Sequence, residues 1–390
     1  MGSRTLTATL AIALTMAACG NDTNEASNDS EASKSTIGAN SSPVTDASDA
    51  GIVEDGEAFP ADRCTANEAA GTITFLTGFD FAASSSIVDV IAAEEAGYYE
   101  DLCLDIEIRA SFSSSNYPLV AEGNAQFASG GSFSELVAFS AANDASFIAA
   151  TVEGRSAIDT LIVKAGLATE LVELDGSTLG VKGKLPPAID VMLRGVGLVE
   201  GENFDTVLLD GFNPLAHIAI DVIDGLPGWK SNEVGALDRA GIGVHLFDPL
   251  DFGVPGSFGV IFASAKFADE YPTAAQDFIR ATMRGLADAV ADPETAANNA
   301  VNLIAANGNP NFLEPEGEVF RWETEAQLIL EGTPEGMGLG VPDPVTLQSE
   351  LDAYSEVGLF GEGEAPTATD FISGLAAGVY DADAAIIWPG

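Results

Sequence analysis

Three neighbouring residues near the start of the globular region carry side chains suited to binding a flat ring. Phe79 and Phe81 flank Asp80 directly after an apolar run at residues 72–77. In an extended loop the two rings can face the same side and stack on a heterocycle, while the carboxylate accepts hydrogen bonds from ring N–H groups. All three are therefore candidate ligand contacts. The alternative is that both rings pack in the core.

Further polar candidates lie at the ends of other predicted elements. Asp210 follows a strand predicted at residues 205–209, Ser132 follows two glycines, and Asn232 and Glu233 precede a helical pattern. A carboxylate in a closing cleft is costly to desolvate unless the ligand donates hydrogen bonds to it. These residues therefore favour a ligand with amine, amide or ring N–H groups.

An anionic ligand such as a sulfonate or nitrate would need helix N-termini and cationic side chains. The chain has 15 Lys and Arg against 60 Asp and Glu, a net charge of −45. Lys182, Lys184 and Arg194 are the basic residues near the candidate loops, and we interpret them as solvated. The same charge argues against nucleic acid and against adsorption to anionic lipid.

Signatures of catalysis and metal binding are missing from the sequence. There is no Walker-type loop, HExxH, GxSxG or CxxC, and the only histidines are His217 and His245. His217 lies on an apolar helical pattern and His245 within a strand pattern, so we interpret both as structural. We therefore predict a binding protein without catalytic residues, metal or cofactor.

The elements that must position these residues alternate between strand and helix patterns. That alternation predicts an α/β fold with mostly parallel sheets, in which ligands bind at the carboxyl ends of the strands. The chain is long enough for two lobes. We predict the first lobe over residues 66–165, the second over residues 166–255, and a return to the first lobe with C-terminal helices over residues 256–390. Two crossings make a hinge.

The N-terminal residues predict export. Residues 1–18 form a short basic and apolar signal peptide that ends in Met-Ala-Ala before Cys19, which resembles a bacterial lipobox with Cys19 as the lipidated residue. The alternative is an ordinary signal peptide. Residues 19–65 are poor in large apolar side chains and predict a disordered tether. With Cys19 lipidated, Cys64 and Cys103 remain, and neighbouring strands would bring them together as a disulfide. The alternative is two unpaired buried thiols.

Several segments resemble solute-binding proteins of bacterial ABC importers. Residues 93–108 (AEEAGYYEDLCLDIEI) and 121–127 (AEGNAQF) are similar to segments of the family of nitrate, sulfonate, taurine and thiamine-pyrimidine binders. Cys103 stands where that family has glycine. The segments KSNE, LDRAG, FDP and GVPGSFG within residues 230–259 resemble its hydroxymethylpyrimidine and riboflavin branch. The Trp-x-Pro-Asn of that branch is replaced by Gly-Phe-Asp-Phe at residues 78–81.

The resemblance implies a two-lobed periplasmic-binding-protein-like fold of type II and a function. A monomeric, lipid-anchored extracytoplasmic protein would capture riboflavin or a thiamine-precursor pyrimidine by lobe closure and deliver it to ABC permease subunits. One alternative within the family is a nitrate, sulfonate or taurine binder. Another is an enzyme similar to hydroxymethylpyrimidine synthase, whose Cys-rich iron motif is absent here. A third is a sensor lipoprotein without a transporter.

Overall fold

A computed structural model describes residues 51–211, 213–309 and 314–390. The predicted signal peptide, Cys19 and residues 19–50 of the predicted tether lie outside the described residues. Within the described ranges, no helix is both long and apolar enough to cross a membrane. The strands are β1 (Thr72–Leu76), β2 (Asp105–Arg109), β3 (Phe127–Gly130), β4 (Phe147–Gly154), β5 (Asp159–Lys164), β6 (Thr178–Val181), β7 (Asp205–Leu208), β8 (Gly225–Trp229), β9 (Val244–Phe247) and β10 (Phe258–Ser264).

Two five-stranded sheets divide the strands, in the orders β2-β1-β3-β10-β4 and β7-β6-β8-β5-β9. In each sheet four strands run the same way and one is antiparallel to both of its neighbours: β10 in the first sheet and β5 in the second. The prediction of mostly parallel sheets in an α/β fold is confirmed. We call each sheet with its packed helices a lobe.

Each antiparallel strand is the first strand after the chain crosses between the lobes. The crossings lie at residues 155–158, between β4 and β5, and at residues 248–257, between β9 and β10. The predicted boundary at residue 165 assigns β5 to the first lobe, but β5 pairs with β8 and β9 in the second sheet. The apolar pattern of a strand does not reveal which sheet it joins, since both sheets bury it equally.

The helices begin where the sequence supplies proline or a capping side chain. Proline occupies the first turn of six of the helices below, where its missing N–H has no intrahelical partner to lose. Asn213, Asp292 and Asp343 each accept a hydrogen bond from a first-turn N–H group. The helices are α1 (Ala61–Glu68), α2 (Val88–Glu95), α3 (Tyr98–Asp101), α4 (Ser113–Ala121), α5 (Phe133–Asn143), α6 (Pro187–Gly195), α7 (Pro214–Ile218), α8 (Glu233–Arg239), α9 (Ala265–Glu270), α10 (Pro272–Ala291), α11 (Pro293–Asn307), α12 (Pro315–Gly332) and α13 (Pro344–Glu356).

Aromatic rings fill the core between the first sheet and α10. Phe127 of β3 stacks on Phe278 of α10 with ring centroids 4.2 Å apart, and Tyr99 stacks on the same ring at 5.3 Å. In the second lobe, Leu161 of β5 and Ile189 of α6 are fully buried in a separate aliphatic core. Each lobe therefore has its own hydrophobic core.

The segment at residues 51–65, predicted as the end of the tether, is packed against the first lobe. Arg63 of α1 is buried and pairs with Asp277 of α10 at 2.6 Å. Cys64 and Cys103 form a disulfide with their Cα atoms 5.2 Å apart. Cys103 has φ +58°, in the left-handed region that favours glycine. The segment is held by an ion pair and a disulfide, so a composition poor in large apolar residues did not predict that it packs on the lobe.

Candidate functional site

A cavity of about 280 Å³ lies between the two lobes. It opens beside the carboxyl ends of β1, β3, β6 and β8 and the amino ends of the antiparallel β5 and β10, where α/β sheets bind ligands. The first lobe contributes Gly78, Phe79, Ser84, Ser85, Ser132, Ser134 and Glu135, the second contributes Asp159, Lys182, Lys184 and Trp229, and the C-terminal helices contribute Glu325 and Tyr354.

Two of the predicted ligand contacts, Phe79 and Ser132, line this cavity. Phe79 packs edge-on against Phe112 with centroids 5.7 Å apart, which fixes the orientation of its ring. Ser132 caps α5, because its hydroxyl oxygen accepts a hydrogen bond from the N–H group of Glu135 at 3.2 Å. The loops after β1 and β3 therefore present one aromatic and one polar side chain to the same space.

Asp80 and Phe81 are placed away from the cavity. Asp80 is buried, and its carboxylate accepts a hydrogen bond from the N–H group of Asn309 at 2.7 Å. Phe81 packs in the core of the first lobe. The expectation of an extended loop fails at Asp80, whose φ of +47° turns the chain so that the two rings no longer share a side.

Glu233 lies behind two residues that line the cavity and does not line it itself. Its side chain is buried, with Oε1 accepting from Lys182 Nζ at 2.8 Å and Oε2 accepting from the N–H group of Trp229 at 2.9 Å. Lys182 and Trp229 both line the cavity. Glu233 thus holds a cation and the main chain at Trp229 in place at the second-lobe wall.

The other two second-lobe candidates lie outside the cavity lining. Asn232 Oδ1 accepts a hydrogen bond from Arg321 of α12 at 2.8 Å, a contact between the second lobe and a C-terminal helix. Asp210 is exposed, and its carbonyl oxygen accepts a hydrogen bond from His217 Nε2 at 2.8 Å. Asp210 therefore stabilises its own loop.

Asp159 and Glu135 are acidic side chains of the cavity that were not anticipated from the sequence. Burial raises the pKa of Asp159, at the start of β5, to about 7, and the nearby negative charges of Glu135 and Glu233 add to the rise while Lys230 opposes it. Desolvation by the surrounding walls also raises the pKa of Glu135, although its side chain keeps contact with solvent, and a hydrogen bond from the backbone N–H group of Ser132 and the charge of Lys184 partly offset the rise. Both carboxyl groups can exchange hydrogen bonds with a ligand.

Backbone N–H groups at the first-lobe wall are occupied by carboxylates of the protein itself. The turn at residues 83–86 precedes α2. Its N–H groups donate hydrogen bonds to three glutamates: that of Ala83 to Glu318 at 2.7 Å, that of Ser85 to Glu325 at 2.7 Å, and that of Ser86 to Glu153 at 2.9 Å. A turn of this kind would otherwise be suited to binding an anion. These N–H groups therefore already have acceptors within the protein and are not available to an anionic ligand.

The start of α5 is occupied in the same way. Glu350 of α13 is fully buried and accepts a hydrogen bond from the N–H group of Ser134 at 3.1 Å. The N–H group of Phe133 donates to the hydroxyl oxygen of Ser257 at 2.9 Å. Burial raises the pKa of Glu350, and hydrogen bonds from Ser134 and Ser257 partly offset the rise.

In the part of the chain that the structure describes, no group of three or more His, Cys, Asp or Glu side chains is arranged to hold a metal ion. Only a weak sequence signal pointed to the glutamates of α12 that accept hydrogen bonds from the first-lobe turn. Glu318 and Glu325 lie seven residues apart, on the same face of α12 as the fully buried Trp322. Acidic residues on an otherwise buried helix face indicate partners on another element, but the sequence does not identify them.

Comparison with known sequences and structures gives consistent results. The family described as NMT1/THI5 like matches residues 84–296. The riboflavin-binding protein RibY of Chloroflexus aurantiacus is 26% identical over 165 residues, which cover 42% of this chain and 43% of RibY. The chain thus matches less than half the length of that relative.

Two solved structures are similar over most of the chain. The periplasmic aliphatic sulphonate binding protein SsuA from Escherichia coli has a TM-score of 0.56 at 13% identity, covering 77% of this chain and 92% of SsuA. The ligand binding component of an ABC-type import system from Staphylococcus aureus has a TM-score of 0.55 at 13% identity, covering 80% of this chain and 99% of that chain. These likenesses confirm the predicted two-lobed periplasmic-binding-protein fold.

Proposed function

The chain belongs to the NMT1/THI5-like family, and on that basis we propose that it is the extracytoplasmic ligand-binding component of an ABC importer. It captures a small neutral or cationic heterocycle between its lobes and delivers it to a permease. The Staphylococcus aureus neighbour is such a component and RibY is a riboflavin-binding protein, which supports this assignment. Both named relatives are binding components, so no catalytic role is assigned.

One observation supports the proposed ligand class: the backbone N–H groups beside the cavity already donate hydrogen bonds to carboxyl groups of the protein. Glu325 and Glu350 accept hydrogen bonds from the first-lobe turns that an anionic ligand would use. An anion entering the cavity would also meet Glu135 and Asp159. A ligand with N–H and O–H donors satisfies these groups wherever they are ionised, and an anion does not.

Aromatic side chains on both lobes favour a flat ring. Phe79 lines the cavity from the first lobe and Trp229 from the second. The volume of about 280 Å³ lies close to the lower end of typical ligand pockets, roughly 300 Å³. A volume of this size suits a small heterocycle and does not by itself distinguish a thiamine-precursor pyrimidine from riboflavin. Riboflavin and a pyrimidine are therefore the two ligands to compare.

Closure of the lobes on the ligand is the mechanism that follows. The cavity takes side chains from both lobes, and two crossings, at residues 155–158 and 248–257, join them. A ligand that contacts both walls stabilises the closed state by its differential affinity for that state. The closed monomer is then the form that docks on the permease.

A second candidate is a sulfonate or taurine binder, which the two cavity lysines favour. However, Lys182 is paired with Glu233 at 2.8 Å, and the charge of Lys184 acts on Glu135. Both cations are thus partly neutralised by the protein. We rank this candidate second because its anionic group would have to displace an internal carboxylate.

Thermal unfolding in the presence of single ligands tests the proposal. The purified chain is mixed in turn with riboflavin, hydroxymethylpyrimidine, taurine, ethanesulfonate and nitrate, and bound mass is checked by native mass spectrometry. A ligand present at one hundred times its Kd stabilises the folded state by about 2.7 kcal/mol. We expect a rise in Tm with one of the heterocycles. A rise only with taurine, ethanesulfonate or nitrate contradicts the proposal.

Anchoring through Cys19 is a separate part of the proposal. Two features support it: Met-Ala-Ala-Cys at residues 16–19 and the polar segment that follows. In a bacterial host the wild type should partition into detergent with the membrane fraction. Cys19→Ala should move the protein to the aqueous phase, and unchanged partitioning would argue against lipidation.

A further inference from the structure

We propose that Glu325 determines the ligand selectivity of the cavity by acting as an internal substitute for an anionic ligand, so that its removal creates an anion site. This proposal rests on the proposed function, because it explains how the cavity comes to favour neutral or cationic ligands. Glu325 lies on α12, about 240 residues away from the turn it contacts, and is 1% exposed. It nevertheless lines the cavity.

Both carboxylate oxygens of Glu325 are engaged, each by a different lobe. Oε2 accepts a hydrogen bond from the N–H group of Ser85 in the first lobe at 2.7 Å. Oε1 accepts a hydrogen bond from the hydroxyl of Ser231 in the second lobe at 2.7 Å. A ligand held between closed lobes makes contacts of the same kind. Glu325 therefore occupies a position that an oxyanion could take, with the same acceptor chemistry.

The surroundings of Glu325 leave an anion little to bind while it is present. The N–H group next to that of Ser85 donates to Glu153, and Glu318 on the same helix occupies the turn two residues earlier. The nearby cation, Arg321, is engaged by Glu318 and by Asn232. Removing the Glu325 side chain would free the backbone N–H donor of Ser85, which lines the cavity, and the hydroxyl donor of Ser231, which now points at the Glu325 carboxyl group.

The experiment compares variants at two positions of one helix. Glu325→Ala removes the carboxylate, and Glu325→Gln keeps an acceptor of nearly the same shape without the charge. Glu323→Ala is the matched control, because Glu323 is an exposed glutamate on the same helix and does not line the cavity. Methanesulfonate and sulfate are the probes, at constant ionic strength set with sodium chloride. Tm and calorimetric titration are the readouts, and circular dichroism confirms folding.

Glu325→Ala is expected to bind methanesulfonate or sulfate at least about tenfold more tightly than Glu323→Ala, the effect of one charge-assisted hydrogen bond. The affinity of Glu325→Gln for these anions is expected to lie between those of Glu325→Ala and Glu323→Ala. A folded Glu325→Ala protein that responds to neither anion more than the control overturns the proposal. If Glu325→Ala does not fold, Glu325→Gln decides: a response above the control supports the proposal, and none overturns it.

Failure of the proposal for Glu325 can be distinguished from failure of the proposed function. Riboflavin and hydroxymethylpyrimidine are titrated into the wild type in the same series. Wild type that binds neither heterocycle contradicts the ligand class proposed above, whatever the variants do. Heterocycle binding by the wild type together with no gain of anion binding in the Glu325 variants contradicts only the role of Glu325.

Discussion

Glu233 and Lys182 form an ion pair of 2.8 Å that joins the start of α8 to the end of β6. The other carboxylate oxygen of Glu233, Oε2, accepts a hydrogen bond from the main-chain N–H group of Trp229 at 2.9 Å. Glu233 is buried, and the two residues that it holds face the cavity. Its role in binding is therefore to position the Lys182 cation and the main chain at Trp229, whereas the sequence predicted direct contact with the ligand.

Glu233→Gln should weaken ligand binding roughly three- to tenfold with little loss of stability. The Lys182 side chain is 32% exposed, so solvent screens the pair and the loss of stability should stay at about 1 kcal/mol or less. Calorimetric titration with the heterocycle found by screening gives the affinity, and thermal unfolding gives the stability. Asp238→Asn, at an exposed position on the same helix, is the control. Equal affinities for both variants would contradict a positioning role.

Phe79 and Phe81 should respond differently to substitution. Phe79 lines the cavity, so Phe79→Ala should lower heterocycle affinity about tenfold, the scale of one lost aromatic contact with its buried area. Phe81 is 5% exposed in the core, so Phe81→Leu should lower the free energy of unfolding by about 1 kcal/mol and leave affinity unchanged. Chemical denaturation and titration of both variants separate the effects. Weaker binding by Phe81→Leu alone would reverse the assignment.

The sequence predicted the location of the cavity better than the side chains that line it. Strand and helix patterns located the loops of Phe79 and Ser132, because ligands bind at the carboxyl ends of parallel strands whatever the family. The orientation of Asp80 could not be predicted, since it depends on one positive φ angle. Glu325 and Glu350 were missed because the backbone N–H groups that donate to them, those of Ser85 and Ser134, lie more than 200 residues earlier in the chain.

Stability should depend on pH through a buried pair of carboxyl groups. Asp89 and Glu153 are fully buried beneath the turn before α2. Burial raises the pKa of Asp89 to about 6, and burial together with the charge of Asp89 raises the pKa of Glu153 further above its usual range. Glu325 adds to the rise at Glu153. The folded protein therefore holds protons that the unfolded chain has already lost.

The expected change is a loss of stability as pH rises from about 4 to about 6. The unfolded Asp89 carboxyl loses its proton near 3.8 and the folded one near 6, so the folded state binds more protons in between. The shift corresponds to a loss on the order of 3 kcal/mol, complete above pH 6 for Asp89 and continuing higher for Glu153. Urea unfolding at several pH values measures it. Asp89→Asn should flatten the slope in this window, and an unchanged slope would refute the assignment.

The disulfide should contribute substantially to stability. Cys64 and Cys103 are 39 residues apart in sequence, and a crosslink over that length lowers the entropy of the unfolded chain by an equivalent of about 4 kcal/mol. Replacing both with alanine should lower the free energy of unfolding by a few kcal/mol, as measured in urea. A reducing agent should produce a similar loss in the wild type and none in the double variant. Equal stability with and without reductant would show that the crosslink contributes nothing.

Asp277 should be among the most sensitive positions outside the cavity. It is fully buried and pairs with Arg63 at 2.6 Å and with Arg280 at 3.1 Å, and it accepts a hydrogen bond from Asn67 at 2.9 Å. Asp277→Asn leaves two buried guanidinium groups without their counter-charge, which costs about 3–5 kcal/mol. The loss should appear as a lower urea midpoint.

Asp269→Asn is the matched control, since Asp269 is exposed on α9, directly before the helix that carries Asp277. Its midpoint should equal that of the wild type. Because Arg63 belongs to α1, the Asp277 variant should also release the N-terminal helix first, which protease digestion near residues 51–65 can detect. An Asp277 variant as stable and as protease-resistant as the control would mean that residues 51–65 do not depend on this cluster, and that other contacts, among them the disulfide, hold α1 against the first lobe.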